Sequence, residues 1–462
     1  MKNPISLLRG LCVALFAFML VACTQRAEVY VTSGTGEVQF RFSQLNNAEL
    51  RGVTPAEGNY IKVLSDSRRQ PVYGFGAAIT GSTCYNLMQM SAEDREKVLQ
   101  ECFSPDEMAM SFIRISIGAS DFSLDEYTCC DKEGIEFFEL HEYDKRDLLP
   151  ILKRILEINP SIRIVGSPWS CPRWMKIHPK TGEPYNSWTS GILNPKYYAD
   201  YAEYFVRWIG EMEAEGIPIY AITVQNEPLN HGNSMSLYMG WEQQRDFIRD
   251  HLGPEFKKHN IETKIWLFDH NYNYDNIPDQ QGYPLHILAD KEAAKYIDGS
   301  AWHNYGGRVT ELDRIQADLD IFFTEASIGT WNYDYSKCLV NDFASIFIGT
   351  MNRGGRGVTL WNLILDDKGA PNRPKGCRTC YGAIEISSET YDFASLNRKS
   401  HYYNIAHCSK VIRPDAWCVD VESALPEGVE MAAFVNTDSS LAVIAANHSE
   451  QMQEVVVKGA KR

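Results

Sequence analysis

Apolar residues in this chain gather in short unbroken runs that stop at polar or small residues, and longer segments of helical spacing fill the gaps. The runs fall at residues 72–77, 112–117, 162–166, 219–224, 264–268, 299–303, 321–324 and 357–361. Runs of this length without polar alternation suit strands of a parallel sheet that is covered on both faces. Helical periodicity is clearest at 92–102, 144–158, 195–215 and 242–256. Eight strands with interleaved helices predict an α/β fold, a (β/α)₈ TIM barrel. Two further runs, 38–42 and 60–64, precede the barrel, and three more, 416–421, 431–436 and 441–447, follow it with turn residues between them. These are expected to pair as a small β-sandwich-like domain formed from both chain ends.

The start of the chain changes this picture only locally. Lys2 and Arg9 flank an apolar segment at 11–22 that is too short for a comfortable membrane span, and it ends in Leu20-Val21-Ala22-Cys23. That ending resembles the bacterial lipoprotein processing box, which implies lipidation at Cys23 and a lipid anchor as the contact with a membrane. The expected partition is a lipoprotein signal peptide at 1–22, a linker at 23–37, N-terminal strands of the β domain at 38–70, the barrel at 71–400 and the C-terminal β domain at 401–462. The expected location is the bacterial cell envelope, in the periplasm or on the outer-membrane surface.

Composition narrows the function. The 462 residues are 44% hydrophobic and 23% charged, as in globular proteins, and carry a formal net charge of −15. Binding nucleic acid needs a basic face to neutralise phosphates, so the charge argues against such a partner. Aromatics make up 12% of the chain, which suits both sugar platforms and a large core. Ten of the twelve cysteines lie beyond the leader and its processing box. Cys377-Arg378-Thr379-Cys380 has redox or metal spacing but lacks a second such pair or a histidine pair, so a loop disulfide or two free thiols is expected in place of zinc.

The chemistry is carried by two strand ends. Run four passes into Gln225-Asn226-Glu227-Pro228, and run seven stops at Glu325. In an α/β barrel the C-terminal edge is where chemistry is placed. Two carboxylates there match the demands of glycoside hydrolysis, in which one acid donates to the leaving oxygen and the other attacks the sugar. Arg114 interrupts the apolar run Phe112-Ile113-Arg114-Ile115. A guanidinium inside a strand demands a buried partner, and Glu325 is a natural one. Trp169 follows run three and is placed to wall a sugar site, with Trp361 at the end of run eight as its floor. Run six ends in Trp302-His303-Asn304-Tyr305, where Tyr305 is placed to hydrogen-bond the nucleophile and His303 is either structural or catalytic. Gly74-Phe75-Gly76-Ala77 is expected to let backbone and substrate approach closely.

Several of these segments together resemble glycoside hydrolase family 30, the family of glucosylceramidases and β-1,6-glucanases. They are GFGAAITGSTCYNL from Gly74, IRISIGASDFS from Ile113, SPWSCPRWMK from Ser167, TVQNEP from Thr223, HNYGG from His303, FFTEASIG from Phe322, WNLILDDKGAPN from Trp361 and YYNIAHCSKVIRP from Tyr402. The resemblance implies Glu227 as acid/base and Glu325 as nucleophile. It implies Asp121, Trp169, Asn226, His303, Tyr305 and Trp361 at the sugar, and Arg114 in support of the nucleophile. It also implies a retaining enzyme with no metal and no cofactor, acting on β-1,6-glucan or a glucosylceramide-like β-glucoside. A member acting on another β-glycan such as xylan, or a catalytically silent glycan-binding lipoprotein that kept the barrel, are the alternatives. For the acid role Glu227 is expected to have a raised pKa, and Glu325 a lower one set by Arg114. Family members continue the β domain with further strands, so the resemblance also leaves that domain short of an edge.

Overall fold

Eight central runs are buried at nearly every position, and each forms a strand. In a computed structural model that describes residues 26–45, 59–315, 318–373 and 376–458, the barrel strands are β1 (Gly74–Ala77), β2 (Phe112–Ile117), β3 (Arg163–Pro168), β4 (Ala221–Thr223), β5 (Lys264–Asn271), β6 (Gly299–His303), β7 (Asp320–Glu325) and β8 (Gly355–Leu360). The leader and Cys23 lie outside the described residues. Neighbours pair in parallel from β2 to β8, and β8 pairs with β1. Closure between β1 and β2 is made by Ser111 N–H donating to Phe75 O (3.0 Å), Ile79 N–H donating to Arg114 O (2.8 Å) and a bridge between Ala78 and Arg114.

The tight glycines of β1 serve this closure. A Cβ at Gly76 would overlap the carbonyl oxygen of Phe112 on β2, so the close approach is to the neighbouring strand and not, as the sequence suggested, to substrate. Inside the barrel Phe112, Val165, Ala221, Trp266, Ala301 and Phe322 form one packed layer. The Phe112 and Phe322 rings lie 4.1 Å apart, and Trp266 stacks on Phe322 at 5.0 Å. This layer fills the lower interior, so polar groups further along the strands are held at the other end.

Helices at Ala92–Phe103, Leu149–Ile158 and Tyr198–Ala214 cover the outside through faces such as Val98, Leu99 and Cys102, or Tyr201, Phe205 and Trp208. A last helix, Ser400–Ser409, also belongs to the barrel, since Tyr402 and Ile405 sit in its main core and Tyr402 Oη donates to Glu101. The expected boundary at 400/401 therefore falls at the start of a barrel helix.

The β domain is one five-stranded sheet in the order Leu441–Asn447, Val429–Val435, Trp417–Ala424, Tyr60–Pro71, Val456–Lys458. Both ends of the chain contribute to it, and Val456–Lys458 runs parallel to Tyr60–Pro71 along one edge. The run at 38–42 departs from expectation. Arg41–Leu45 pairs with Ala27–Val31 in a separate hairpin that includes part of the expected linker. This hairpin packs on the barrel, where Phe40 lies edge-on to His407 and Thr32 Oγ1 is 2.7 Å from His407 Nε2. Its strands are largely exposed, so period alone could not say which sheet they join.

Truncating the interior layer tests the packing. Phe322→Ala removes a fully buried ring with two aromatic neighbours, Phe112 and Trp266, and is expected to cost about 3–5 kcal/mol, read as a lowered thermal midpoint.

Candidate active site

The C-terminal ends of the barrel strands hold their functional groups through local departures from regular strand geometry. Strand β5 carries a bulge between Phe268 and His270, where both Phe268 (φ 76°) and Asp269 (φ 67°) lie in the left-handed region. A bulge re-aims side chains that strict alternation would send to opposite faces. Here both Asp269 and His270 reach the residues of the site. Glu227 is itself left-handed (φ 44°), pinned by its N–H donating to Asp269 O (3.0 Å) and its carbonyl accepting from Asn230 N–H (2.9 Å). Non-glycine residues in this region cost about 1–3 kcal/mol each and persist only where surroundings over-determine them.

Arg114 is the hub. It is completely buried, and Nη1 donates to Glu325 Oε2 (2.5 Å) while Nη2 donates to Asn226 Oδ1 (2.6 Å) and Asp269 Oδ2 (2.8 Å). Its Nε–H donates to Ser167 Oγ at 3.2 Å. The guanidinium also lies over the rings of Trp169 (4.8 Å) and Trp361 (5.4 Å), which stack on each other at 5.0 Å. Each tryptophan is only 2% exposed, so the pair supports Arg114 and offers little open face of its own. Asp269 is held well below the usual carboxylate range, because Arg114, His303 and Thr324 outweigh the upward push of burial. Thr223 and Thr324 each donate a hydroxyl to it, at 2.7 and 2.6 Å.

The two glutamates differ in their partners. Glu325 Oε1 accepts from Tyr305 Oη (3.0 Å), which also lies 3.0 Å from Ser327 Oγ. Glu227 Oε1 faces His303 Nδ1 (3.2 Å) and His270 Nδ1 (3.8 Å), and Oε2 accepts from Asn230 (2.8 Å) and Asn233 (2.9 Å). The far nitrogens are backed by carboxylates: His303 Nε2 on Asp269 Oδ1 (3.0 Å) and His270 Nε2 at 2.9 Å from Asp275 Oδ2. Burial depresses the pKa of His303, yet Glu325, Asp269 and Glu227 raise it to about 9. It therefore stands as an imidazolium donating to both Glu227 and Asp269.

This reverses the expected order of the two acids. Burial pushes Glu227 up, but the hydrogen bond from His303, the adjacent imidazoles of His270 and His303, and the Asn230 amide bring it below the ordinary range. Glu325 is raised by burial and by the charge of Glu227, against the opposing pull of His303 and Arg114. His303, raised to about 9, is thus the neighbour that favours a proton, one hydrogen bond from Glu227. The sequence could not show this, because it did not show two imidazoles converging on one carboxylate.

Asp121 completes the set. Among the described residues its buried Oδ1 has no hydrogen-bond partner, and its pKa is pushed up by burial and by the charge of Glu325. Asn226 has its oxygen occupied by Arg114, which leaves its NH₂ group as donor. Among the described residues, Glu227, His270 and His303 bring ligand atoms within 4.8 Å of one another, as do Glu203, Glu255 and His259 at a more exposed place. Either trio has donors able to hold a metal, and the hydrogen bond between His303 and Glu227 accounts for the buried one without it. Sequence reasoning missed Asp269, His270, Ser167, Thr223, Thr324, Asn230 and Asn233. Asp269 and His270 follow directly on a predicted strand, but the bulge that brings both to the site leaves no signal in the sequence.

Comparison with known proteins agrees with this geometry. The glycosyl hydrolase family 30 TIM-barrel domain matches residues 72–412, and the glycosyl hydrolase family 30 beta sandwich domain matches residues 415–462. The chain belongs to glycosyl hydrolase family 30. This family 30 glycoside hydrolase is 29% identical to an endo-1,6-β-D-glucanase of Trichoderma harzianum over 447 residues, covering 89% of this chain and 87% of the relative. It is 24% identical to the lysosomal acid glucosylceramidase of Mus musculus, covering 89% and 81%. A solved endo-β-1,6-glucanase superposes with a TM-score of 0.89 at 47% identity, covering 94% of this chain and 95% of that one.

The His303 proton makes a measurable prediction for the family 30 enzyme. Its pKa is raised from 6.5 to about 9 on folding, so the stabilisation is fully present below the unfolded value and is lost as pH rises through about 9. The wild-type thermal midpoint should fall across that window, and His303→Gln should flatten the fall while lowering the midpoint near neutral pH.

Proposed function

We propose that the protein is a retaining β-glucosidic hydrolase acting on β-1,6-glucan, with Glu325 as nucleophile and Glu227 as acid/base. The observation that carries the roles is the asymmetric setting of the two carboxylates. Glu325 is bound by a fixed cation and a tyrosine hydroxyl, whereas Glu227 is bound to an imidazolium that can exchange a proton with it. A nucleophile needs a partner that favours the anion and cannot take or give a proton. An acid/base needs one that can.

The steps follow from those partners. Glu325 attacks the anomeric carbon while Glu227 protonates the departing oxygen, and His303 supplies the proton that Glu227 gives up. Formation of the glycosyl ester removes the charge of Glu325, and with it part of what holds the proton on His303. Glu227 then takes a proton from water as that water attacks the ester, Glu325 leaves as the carboxylate, and the proton passes from Glu227 back to His303. Retention requires the two carboxyls to stand about 5–5.5 Å apart, with no room for a water between nucleophile and sugar. The NH₂ group of Asn226 and the carboxyl of Asp121 are suited to sugar hydroxyls.

The substrate reading is supported by the 47% identity to a solved endo-β-1,6-glucanase and by fungal relatives of the same name, including one of Neurospora crassa at 27%. Linear β-1,6-glucan should be cut with retained anomeric configuration, seen by NMR of the first products, while glucosylceramide is left intact. Cleavage of glucosylceramide alone would move the assignment to glycolipid. Glu325→Gln should lower kcat by on the order of 1,000-fold or more while sugar binding persists. A wild type that binds but never turns over any β-glucoside would instead mark a silent binder.

We also infer a cell-envelope lipoprotein anchored through Cys23, supported by the leader and its processing box. Cys23→Ser should abolish incorporation of labelled fatty acid and release the protein from the membrane fraction.

A further inference from the structure

The segment that follows β8 returns to the site and ends in the Cys377-Arg378-Thr379-Cys380 motif that the hydrolytic reading leaves unused. The two sulfurs stand 2.7 Å apart, in a loop where Cys377 is half-buried and Cys380 is buried. What surrounds them are the segments that follow two of the barrel strands. Cys380 pairs with Gly329 and Tyr381 with Ile328 in a short antiparallel bridge, and Thr330 N–H donates to Thr379 O (2.8 Å). The bridge therefore grips the stretch just after Glu325. On the other side, the backbone at Gly376 lies so close to Asp121 O that a Cβ would overlap it, and Arg373 Nε–H donates to Ser120 O (2.9 Å). Both cysteines pack on the cluster that contains Trp169 and Trp361.

The gripped stretch also carries Trp331, whose ring lies over Gly329 and whose surface is 54% exposed, the most open tryptophan on the described surface. An exposed indole a few residues beyond Glu325 has the flat apolar face on which a sugar unit of a longer chain can stack.

We propose that Cys377 and Cys380 form a reversible disulfide that clasps this loop and fixes the Trp331 stretch for polymer binding. The inference rests on the glucanase reading for its kinetic consequence but not for the bond itself. Chemically, the Cys377 thiolate attacks a disulfide-bearing oxidant, protein or small molecule, forming a mixed disulfide and releasing one thiol. The Cys380 sulfur then attacks Cys377 Sγ, releasing the second thiol, to which its own proton passes. Two enzyme thiols are oxidised, and one external disulfide is reduced to two thiols. The Cys377 thiol, brought down to about 5 chiefly by its contact with Cys380, is suited to the first attack. Cys84, Cys102 and Cys408 are buried in the main core with thiols raised by burial, and so compete poorly for the oxidant.

The test uses the full chain equilibrated with either oxidised glutathione or dithiothreitol, then alkylated and mapped by peptide mass. A Cys377–Cys380 linked peptide should form with oxidised glutathione and vanish on reduction. Free, alkylated Cys377 and Cys380 after oxidation would overturn the proposal. Kinetically, reduction should raise KM for linear β-1,6-glucan by roughly 2- to 10-fold, the scale of one aromatic contact, with kcat and turnover of a small aryl β-glucoside little changed. Trp331→Ala should show the raised KM in both redox states, and Cys380→Ser should match the reduced wild type. A KM that does not respond to redox state overturns the clasp even if the bond forms. Turnover on neither substrate refutes the glucanase reading, while the mass map still decides the disulfide.

Discussion

A guanidinium with no exposed surface lies at the centre of this protein, and the site is built to compensate it. Moving Arg114 from water into the barrel costs several kcal/mol unless its charge and its N–H groups are met by well-placed partners. Asp269 and Glu325 supply the charge, Asn226 Oδ1 and Ser167 Oγ accept further N–H hydrogen bonds, and two stacked tryptophans cover the planar faces. Removing one such partner typically costs 3–5 kcal/mol, because the other charge is left uncompensated. The same contacts hold Glu325 in place and bind Asn226, the neighbour of Glu227. Stability and site geometry are thus one network.

That network explains why Asp269 and Glu325 differ although both touch Arg114. Asp269 also accepts from His303 and two threonine hydroxyls, so nearly all its acceptor capacity serves the ionised state. Glu325 has only Arg114 and Tyr305, and it faces a second carboxylate. Asp269 is wholly committed to the network, whereas Glu325 keeps acceptor capacity free. His303 joins the two halves of the site, since it touches both Asp269 and Glu227.

The parts legible in the sequence were those that depend on burial alone. Strand β2 is legible from its apolar run, and Arg114 is conspicuous as the one charge that interrupts it, because a charge there needs a partner. Glu227 and Glu325 were legible as places where a buried run ends in an acid. Asp269 and His270 were not, because their convergence depends on the β5 bulge, and two adjacent strand residues are ordinarily sent to opposite faces. The hairpin Ala27–Val31 with Arg41–Leu45 was misplaced for the opposite reason. Its exposed strands bear little hydrophobic signal of where they pack. The acidities of Glu227 and Glu325 were inverted because they follow from which side chains meet across strands β4, β5, β6 and β7, information that resides in no single segment.

The division between barrel ends and outer loops also bears on substrate choice. Relatives of this chain include proteins named for a glucan and proteins named for a glycolipid, all matching along most of its length. The group each hydrolase must hold at its reacting carbon is the same kind of sugar, so the strand-end network around Arg114 has little reason to differ. Discrimination has to come from what lies past the leaving oxygen, where one substrate continues as sugar and the other as hydrocarbon. In this protein the stretch after Glu325 carries the open Trp331 and the hydroxyl of Ser327, and the cysteine-bearing loop is bridged to it. An exposed indole beside polar groups suits a sugar, which has apolar faces and hydroxyl edges, better than a lipid chain, which would need a continuous apolar groove. Selectivity of this kind depends on where a loop is held more than on which atoms react, so the disulfide proposed across that loop would act on binding and not on chemistry.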